Sequence, residues 1–168
     1  MMVSPGTLRY GRSGDCLLFL VQGRGVMAHG LPLRQLAEQM LEAGVQRIVL
    51  DLRDCTYMDS TFIGTLWTLR RLLLSRGLPP PLLVAPSTSC VKNLQEMASY
   101  EGFPIGTEAD LPPEPTWTPL SLEGVDPIAF RRHALEAHEN LAALEGPERA
   151  KMEAVVRCLQ GEPPPPSS

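Results

Sequence analysis

The chain has 168 residues, 43% of them hydrophobic and 20% charged, with a formal net charge of −4. That is enough apolar material for a core, so a chain disordered throughout is excluded, and the basic balance a nucleic-acid binder needs to neutralise phosphates is missing. Proline and charge are unevenly placed: residues 33–78 hold none of the 17 prolines and residues 111–168 hold ten, while residues 1–110 are neutral and the last third carries the whole net charge.

Residues 7–10 and 15–22 frame a Gly-Arg-Ser-Gly-Asp turn, and the apolar run from Cys16 to Val21 reads as a buried strand, so the pair predicts a hairpin. Residues 31–44 predict a helix, with Leu33, Leu36, Ala37, Met40 and Leu41 on one face and Gly44 as its stop. Residues 46–52 are β-branched and apolar at the centre, a buried strand. A loop is expected next, then a helix over 61–76 with Phe62, Ile63, Leu66, Trp67, Leu69 and Leu73 on its apolar side and Thr65, Thr68 and Arg71 opposite. The prolines at 79–81 block any continuation. A short strand at 82–85, a helix at 87–100 and a last strand at 103–106 complete the order β-β-α-β-α-β-α-β over residues 7–107. Such alternation implies parallel strands joined by crossovers, with one mixed edge from the first hairpin.

The prolines of 111–126 predict a stiff linker or a strap along the surface. Asp126-Pro127 is a helix start, since Asp caps free amides and Pro fits the first turn. Phe130, Leu135, His138, Leu141 and Ala142 share a predicted stripe, Gly146-Pro147 breaks the chain, and a second helix runs to about residue 160. The hairpin's apolar stripe would either fold back on the sheet domain or serve a dimer or a partner. Asp126, Glu136, Glu139, Glu145, Glu148 and Glu153 would make its outer face acidic, which argues against a membrane-surface helix. The tail, 161–168, is low-complexity and expected to be disordered.

The search for catalytic chemistry is thin. There is no G-x-S-x-G, no Walker A and no G-x-G-x-x-G after a strand. His133 and His138 are five apart, so they are not an i, i+4 metal pair and read as surface or packing residues. No enzyme, no cofactor and no metal site is expected. No apolar run approaches the roughly 20 residues of a membrane span, and the first residues lack the regions of a signal peptide. Cys16, Cys55, Cys90 and Cys158 form no C-x-x-C and read as reduced thiols, with Cys16 and Cys55 in the core, which suits a cytoplasmic protein.

One stretch stands out. In 50–66 a buried strand ends in Asp51-Leu52, a loop follows, and Asp59-Ser60 opens a strongly apolar helix. Ser60 is the expected N-cap, its hydroxyl accepting from the amide of Phe62 or Ile63. Asp59 lies near the positive end of the helix dipole. This stretch resembles the signature of the STAS domain, the family of bacterial anti-sigma factor antagonists. The residues that carry the resemblance are Asp51-Leu52, Asp59-Ser60-Thr61, Gly64 and Leu66, and the order of strands and helices over 7–107 is also similar.

The resemblance implies an α/β fold, a STAS-like mixed β-sheet flanked by helices over 1–110; the Pro-rich linker at 111–126 and the C-terminal α-helical hairpin at 127–160 lie beyond the part it covers. It implies an anti-sigma factor antagonist that binds an anti-sigma factor acting also as a serine kinase. Ser60 is the phosphorylation site, with Thr61 a lesser second acceptor, and a phosphatase could reset it. Asp59, Ser60, Thr61 and Phe62 are the implied partner-binding residues. Phe62 stands where many relatives have glycine, and its ring belongs either to the core or to the docking patch. Two other readings stand beside this one: a non-phosphorylated scaffold or homodimerising module built on the hairpin, and a small-ligand or nucleotide-binding domain.

Overall fold

The computed structural model describes residues 5–144 and 149–161. The Gly146-Pro147 break, Glu145, Glu148 and the tail beyond Gly161 lie outside them. Seven strands and five α-helices follow in the order β1 (Thr7–Ser13), β2 (Cys16–Gly25), α1 (Met27–Glu42), β3 (Arg47–Asp51), β4 (Cys55–Met58), α2 (Ser60–Ser75), β5 (Leu82–Val84), α3 (Thr88–Glu96), β6 (Ile105–Gly106), β7 (Thr118–Pro119), α4 (Pro127–Ala142) and α5 (Arg149–Leu159).

The sheet order is β6-β5-β3-β2-β1-β7, with β4 paired to β2 off that path. β2, β3, β5 and β6 are mutually parallel along the row. β1 is antiparallel to β2, and β7 is antiparallel to β1, so the expected mixed edge is present and carries one strand more. Gly14 takes the left-handed conformation (φ +61°) that turns β1 into β2.

One face of the sheet carries the main core. Leu17, Phe19, Ile48, Leu50 and Leu83 meet Leu33, Phe62, Ile63, Leu66, Leu69 and Leu94 from the helices, and all are fully buried or nearly so. The other face is smaller: Cys16, Leu18, Val49 and Val84 lie under Leu111 and Trp117. The proline-rich segment therefore packs on the domain. Its Pro115 ring lies against Gly11, where an added Cβ would come within 2.5 Å of Pro115 Cγ. A buried apolar patch is in this way sealed by a segment that forms almost no regular structure.

Five expectations need correcting. Helix α1 begins at Met27, four residues before the expected start, and continues through Pro32. The expected loop after β3 contains β4, which pairs in parallel with the end of β2 through a register shift between Gly23 and Arg24. The solvent side assigned to α2 is also wrong at Thr65 and Thr68, which are buried because α4 lies across α2. The inner face of α4 is His133, Ala134, Ala137, His138 and Leu141, while Phe130 and Leu135 are only half-buried. Glu136, expected on the acidic outer face, instead pairs with Arg34 of α1.

Candidate functional site

Gly25 at the end of β2 and Met58 at the end of β4 are register partners, so α1 and α2 start side by side. Asp59 ties these starts together. Its Oδ1 accepts from the Phe62 amide at 2.8 Å and its Oδ2 from the Met27 amide at 2.8 Å. Its own amide donates to the Gly25 carbonyl at 3.0 Å. One carboxylate thus satisfies free donors at the positive ends of two helices.

This overturns the expected cap. Asp59 has the extended backbone of a cap residue (φ −79°, ψ 173°), and Ser60 is the first residue of the helix. The longer carboxylate reaches both amides, so the serine hydroxyl is not used for capping. It turns toward α4 instead, with Oγ 3.1 Å from His138 Nε2. His138 Nδ1 is 2.8 Å from the Ala134 carbonyl. A carbonyl only accepts, so Nδ1 carries a proton, and in that tautomer Nε2 accepts from the Ser60 hydroxyl.

Ser60 is half-buried, whereas Thr61 is buried and Phe62 is completely buried. The Phe62 ring lies against Gly25, where an added Cβ would approach its ring atoms to 3.1 Å. It also meets His29 edge-on, with centroids 6.1 Å apart and planes at 88°. Of the two roles left open for Phe62, it takes the core one, and its side chain is removed from any docking surface. Thr61 is equally unsuited as an exposed acceptor. At the end of β3, buried Asp51 accepts from the Arg53 guanidinium at 2.8 Å.

His133 holds the second contact of this seam. The Thr65 hydroxyl donates to the Thr61 carbonyl at 2.8 Å, so His133 Nε2, also 2.8 Å away, is the donor to Thr65 Oγ1. His133 Nδ1 is then a bare, buried nitrogen with no hydrogen-bond partner among the described residues. Burial first, then the nearby Arg34 guanidinium, push its pKa down to about 4, with Glu136 pulling the other way and His138 adding a smaller depression. His29 follows the same logic: burial lowers its pKa, opposed by its hydrogen bond to the Gly6 carbonyl and by Asp59. Both histidines of α4 are therefore packed inside and hydrogen-bonded, and no group of three metal-ligating side chains occurs among the described residues.

The seam continues down α2. Asn140 donates to Thr68 Oγ1 at 3.0 Å and accepts from Arg71 at 2.7 Å. Two glycines let the helices approach this closely. A Cβ at Gly64 would sit 2.5 Å from the Ala137 carbonyl oxygen, and one at Gly30 would sit 2.9 Å from His133 Nε2. The sequence signal for this cover was the run Thr61, Gly64, Thr65, Thr68. These small residues share one helix face by their spacing of three and four, where a solvated face would carry long polar side chains.

Among the described residues no helix is long and apolar enough to cross a membrane. Neither a family model nor a curated protein sequence matches this chain. Solved structures do. The structure of the anti-sigma factor antagonist SpoIIAA in its unphosphorylated form superposes with a TM-score of 0.54 at 16% identity, over 61% of this chain and 90% of that one. The protein TM1081, solved by NMR, superposes with a TM-score of 0.54 at 18% identity, over 60% of this chain and 82% of that one. At such identity the likeness is one of fold: the chain contains a STAS-like domain.

Proposed function

We propose that this chain is an anti-sigma factor antagonist of the cytoplasm. In this reading it binds an anti-sigma factor that is also a serine kinase, and phosphate on Ser60 switches that binding off. The observation that carries the reading is the division of labour at the start of α2. Asp59 does the capping, which leaves the Ser60 hydroxyl free of the helix's own amides on a half-buried residue in a STAS-like fold.

A phosphate there adds roughly −1.5 to −2 charge. The helix start tolerates an anion, so the domain stays folded. The surface changes instead: a dianion beside Asp59 opposes an acidic or apolar partner face, and like-charge repulsion with desolvation at an interface costs several kcal/mol. The switch then acts on the complex and leaves the fold alone. A phosphatase resets it.

The test is incubation of the full chain with ATP and extract of the source cells, followed by mass mapping and capture with wild type, Ser60→Ala and Ser60→Asp baits. Phosphate on Ser60, and an anti-sigma kinase held by the first two baits and lost by the third, are expected. Phosphate only elsewhere, or equal capture by all three, would remove the reading. An oligomerising module is the second reading, favoured by Ile128, which is 70% exposed beside Pro127, Leu135 and Leu159. It predicts self-association that Ile128→Asp abolishes.

A further inference from the structure

We propose that α4 is a displaceable cover, held on the Ser60 face by the chain itself, and that a partner reaches this face by taking the place of α4. The proposal deepens the reading of Ser60 as the switch residue and concerns how access to it is controlled.

Three observations carry it. First, α4 takes the hydroxyl that the switch would use, through His138 Nε2 at 3.1 Å from Ser60 Oγ. Second, the seam between α4 and α2 is mostly polar. Its direct hydrogen bonds join Ser60 to His138, Thr65 to His133, Thr68 to Asn140 and Arg71 to Asn140, the Arg34–Glu136 ion pair holds α4 to α1 beside them, and among the buried residues of α4 only Leu141 is a large apolar one. Interfaces of this composition belong to elements that part and re-form, whereas large side chains fix a permanent layer. The face of α1 and α2 turned to the sheet shows the contrast, with Leu33, Phe62, Leu66 and Leu69 fully buried there. Third, α4 is tethered by a segment whose sheet pairing is two residues, Thr118 and Pro119, so it can lift while β2, β3 and β5 keep their register.

The imprint of α4 also specifies what can replace it. Gly64 demands a small residue at the contact, as Ala137 provides, with Ala134 three positions earlier also buried on that face of α4, while Gly30 leaves room for the His133 ring. Thr65, Thr68 and Ser60 demand hydrogen-bonding side chains along the same face. The partner class is therefore a protein presenting one amphipathic helix with a small-residue stripe, seated in the groove by the helix-in-groove mode.

Two measurements on the full chain test the cover without reference to phosphorylation. The first is native-state amide hydrogen exchange of the wild type. Amides of Ala137–Leu141 in α4 are expected to exchange at least about tenfold faster than those of Ile48–Leu50 in β3, because they open without global unfolding. The second is alkylation by iodoacetamide in a Thr68→Cys, Cys158→Ser chain, mapped by mass. Cys90 is fully buried in the core and reports global unfolding. The thiol at 68 should react faster than Cys90, and adding Ala137→Glu should accelerate position 68 alone. Equal exchange in α4 and β3, or reaction of both thiols at one rate, would show α4 to be a permanent layer and overturn the proposal.

A phosphorylation arm separates this result from the Ser60 reading. With ATP and source extract, Ala137→Glu is expected to take up phosphate on Ser60 faster than wild type. Equal rates in the two chains would defeat the cover as a gate. No phosphate on Ser60 in either chain would defeat the acceptor reading and leave the cover to be judged by exchange and alkylation.

Discussion

Gly64 on α2 and Ala137 on α4 touch backbone to backbone, since a Cβ at position 64 would lie 2.5 Å from the Ala137 carbonyl oxygen and 2.7 Å from its carbon. This contact fixes the sign of a simple substitution. In an exposed helix interior, Gly→Ala stabilises by about 1 kcal/mol. Here the added methyl meets backbone, which must move, and overpacking of this kind costs about 1–3 kcal/mol. Gly64→Ala is therefore expected to lower the urea midpoint, with α4 amides losing more protection than β3 amides. A raised midpoint would show that the helices separate at no cost.

Asp59 is expected to matter more for stability than its neighbour Ser60. Asp59→Ala leaves the amides of Phe62 and Met27 without their acceptor, at a cost of about 2 kcal/mol. Asp59→Asn keeps one acceptor oxygen and should lie between. Ser60→Ala removes one hydrogen bond, to His138, and should cost about 1 kcal/mol. Urea titrations of the three variants give the ranking directly, and a larger loss for Ser60→Ala than for Asp59→Ala would contradict the capping geometry.

The order of elements was legible because each strand here is a short apolar run bounded by turns, and each of α1, α2 and α3 puts large apolar residues at spacings of three and four. β4 escaped because only its ends, Cys55 and Met58, point inward, and four residues with two exposed in the middle look like a loop. The start of α1 escaped because Pro32 suggests a first turn, yet here it sits inside the helix. The cap assignment failed on a choice between adjacent residues: Asp and Ser both cap, and only the position of the Met27 amide, set by pairing of β2 with β4, selects Asp59. The docking of α4 is a long-range contact: the run Thr61, Gly64, Thr65, Thr68 marks a covered face of α2, and nothing local says which segment covers it.

Phe62 supplies a third prediction. Its ring is wholly buried against Gly25 and His29, so Phe62→Ala should cost about 3–5 kcal/mol by cavity formation, while Phe62→Leu should cost less than about 1.5 kcal/mol. Because the side chain faces the core, Phe62→Leu should leave capture of the proposed anti-sigma kinase unchanged in the bait experiment. Lost capture with an intact fold would place the ring at the docking surface after all.

The pH dependence follows from the seam between α2 and α4. His133 is neutral when folded, with a pKa pushed down to about 4 by burial and by Arg34, against about 6.5 for an unfolded histidine. Between these values the unfolded chain binds the extra proton, so stability is full above about pH 6.5 and falls as the pH is lowered toward 4. At pH 5 the loss from this residue alone is on the order of 2 kcal/mol. The charged or titratable groups around it, Arg34, Glu136 and His138, shape the curve without reversing it. His29 is also depressed by burial and adds a slope of the same sign. Thermal or urea unfolding at pH 7.5, 6 and 5 should show a steady decline, and His133→Gln, which keeps a donor for Thr65 and cannot take up the proton, should flatten it without abolishing it. A wild-type stability unchanged between pH 7.5 and 5 would mean that His133 accepts its proton in place, and that α4 tolerates a charged ring against Thr65.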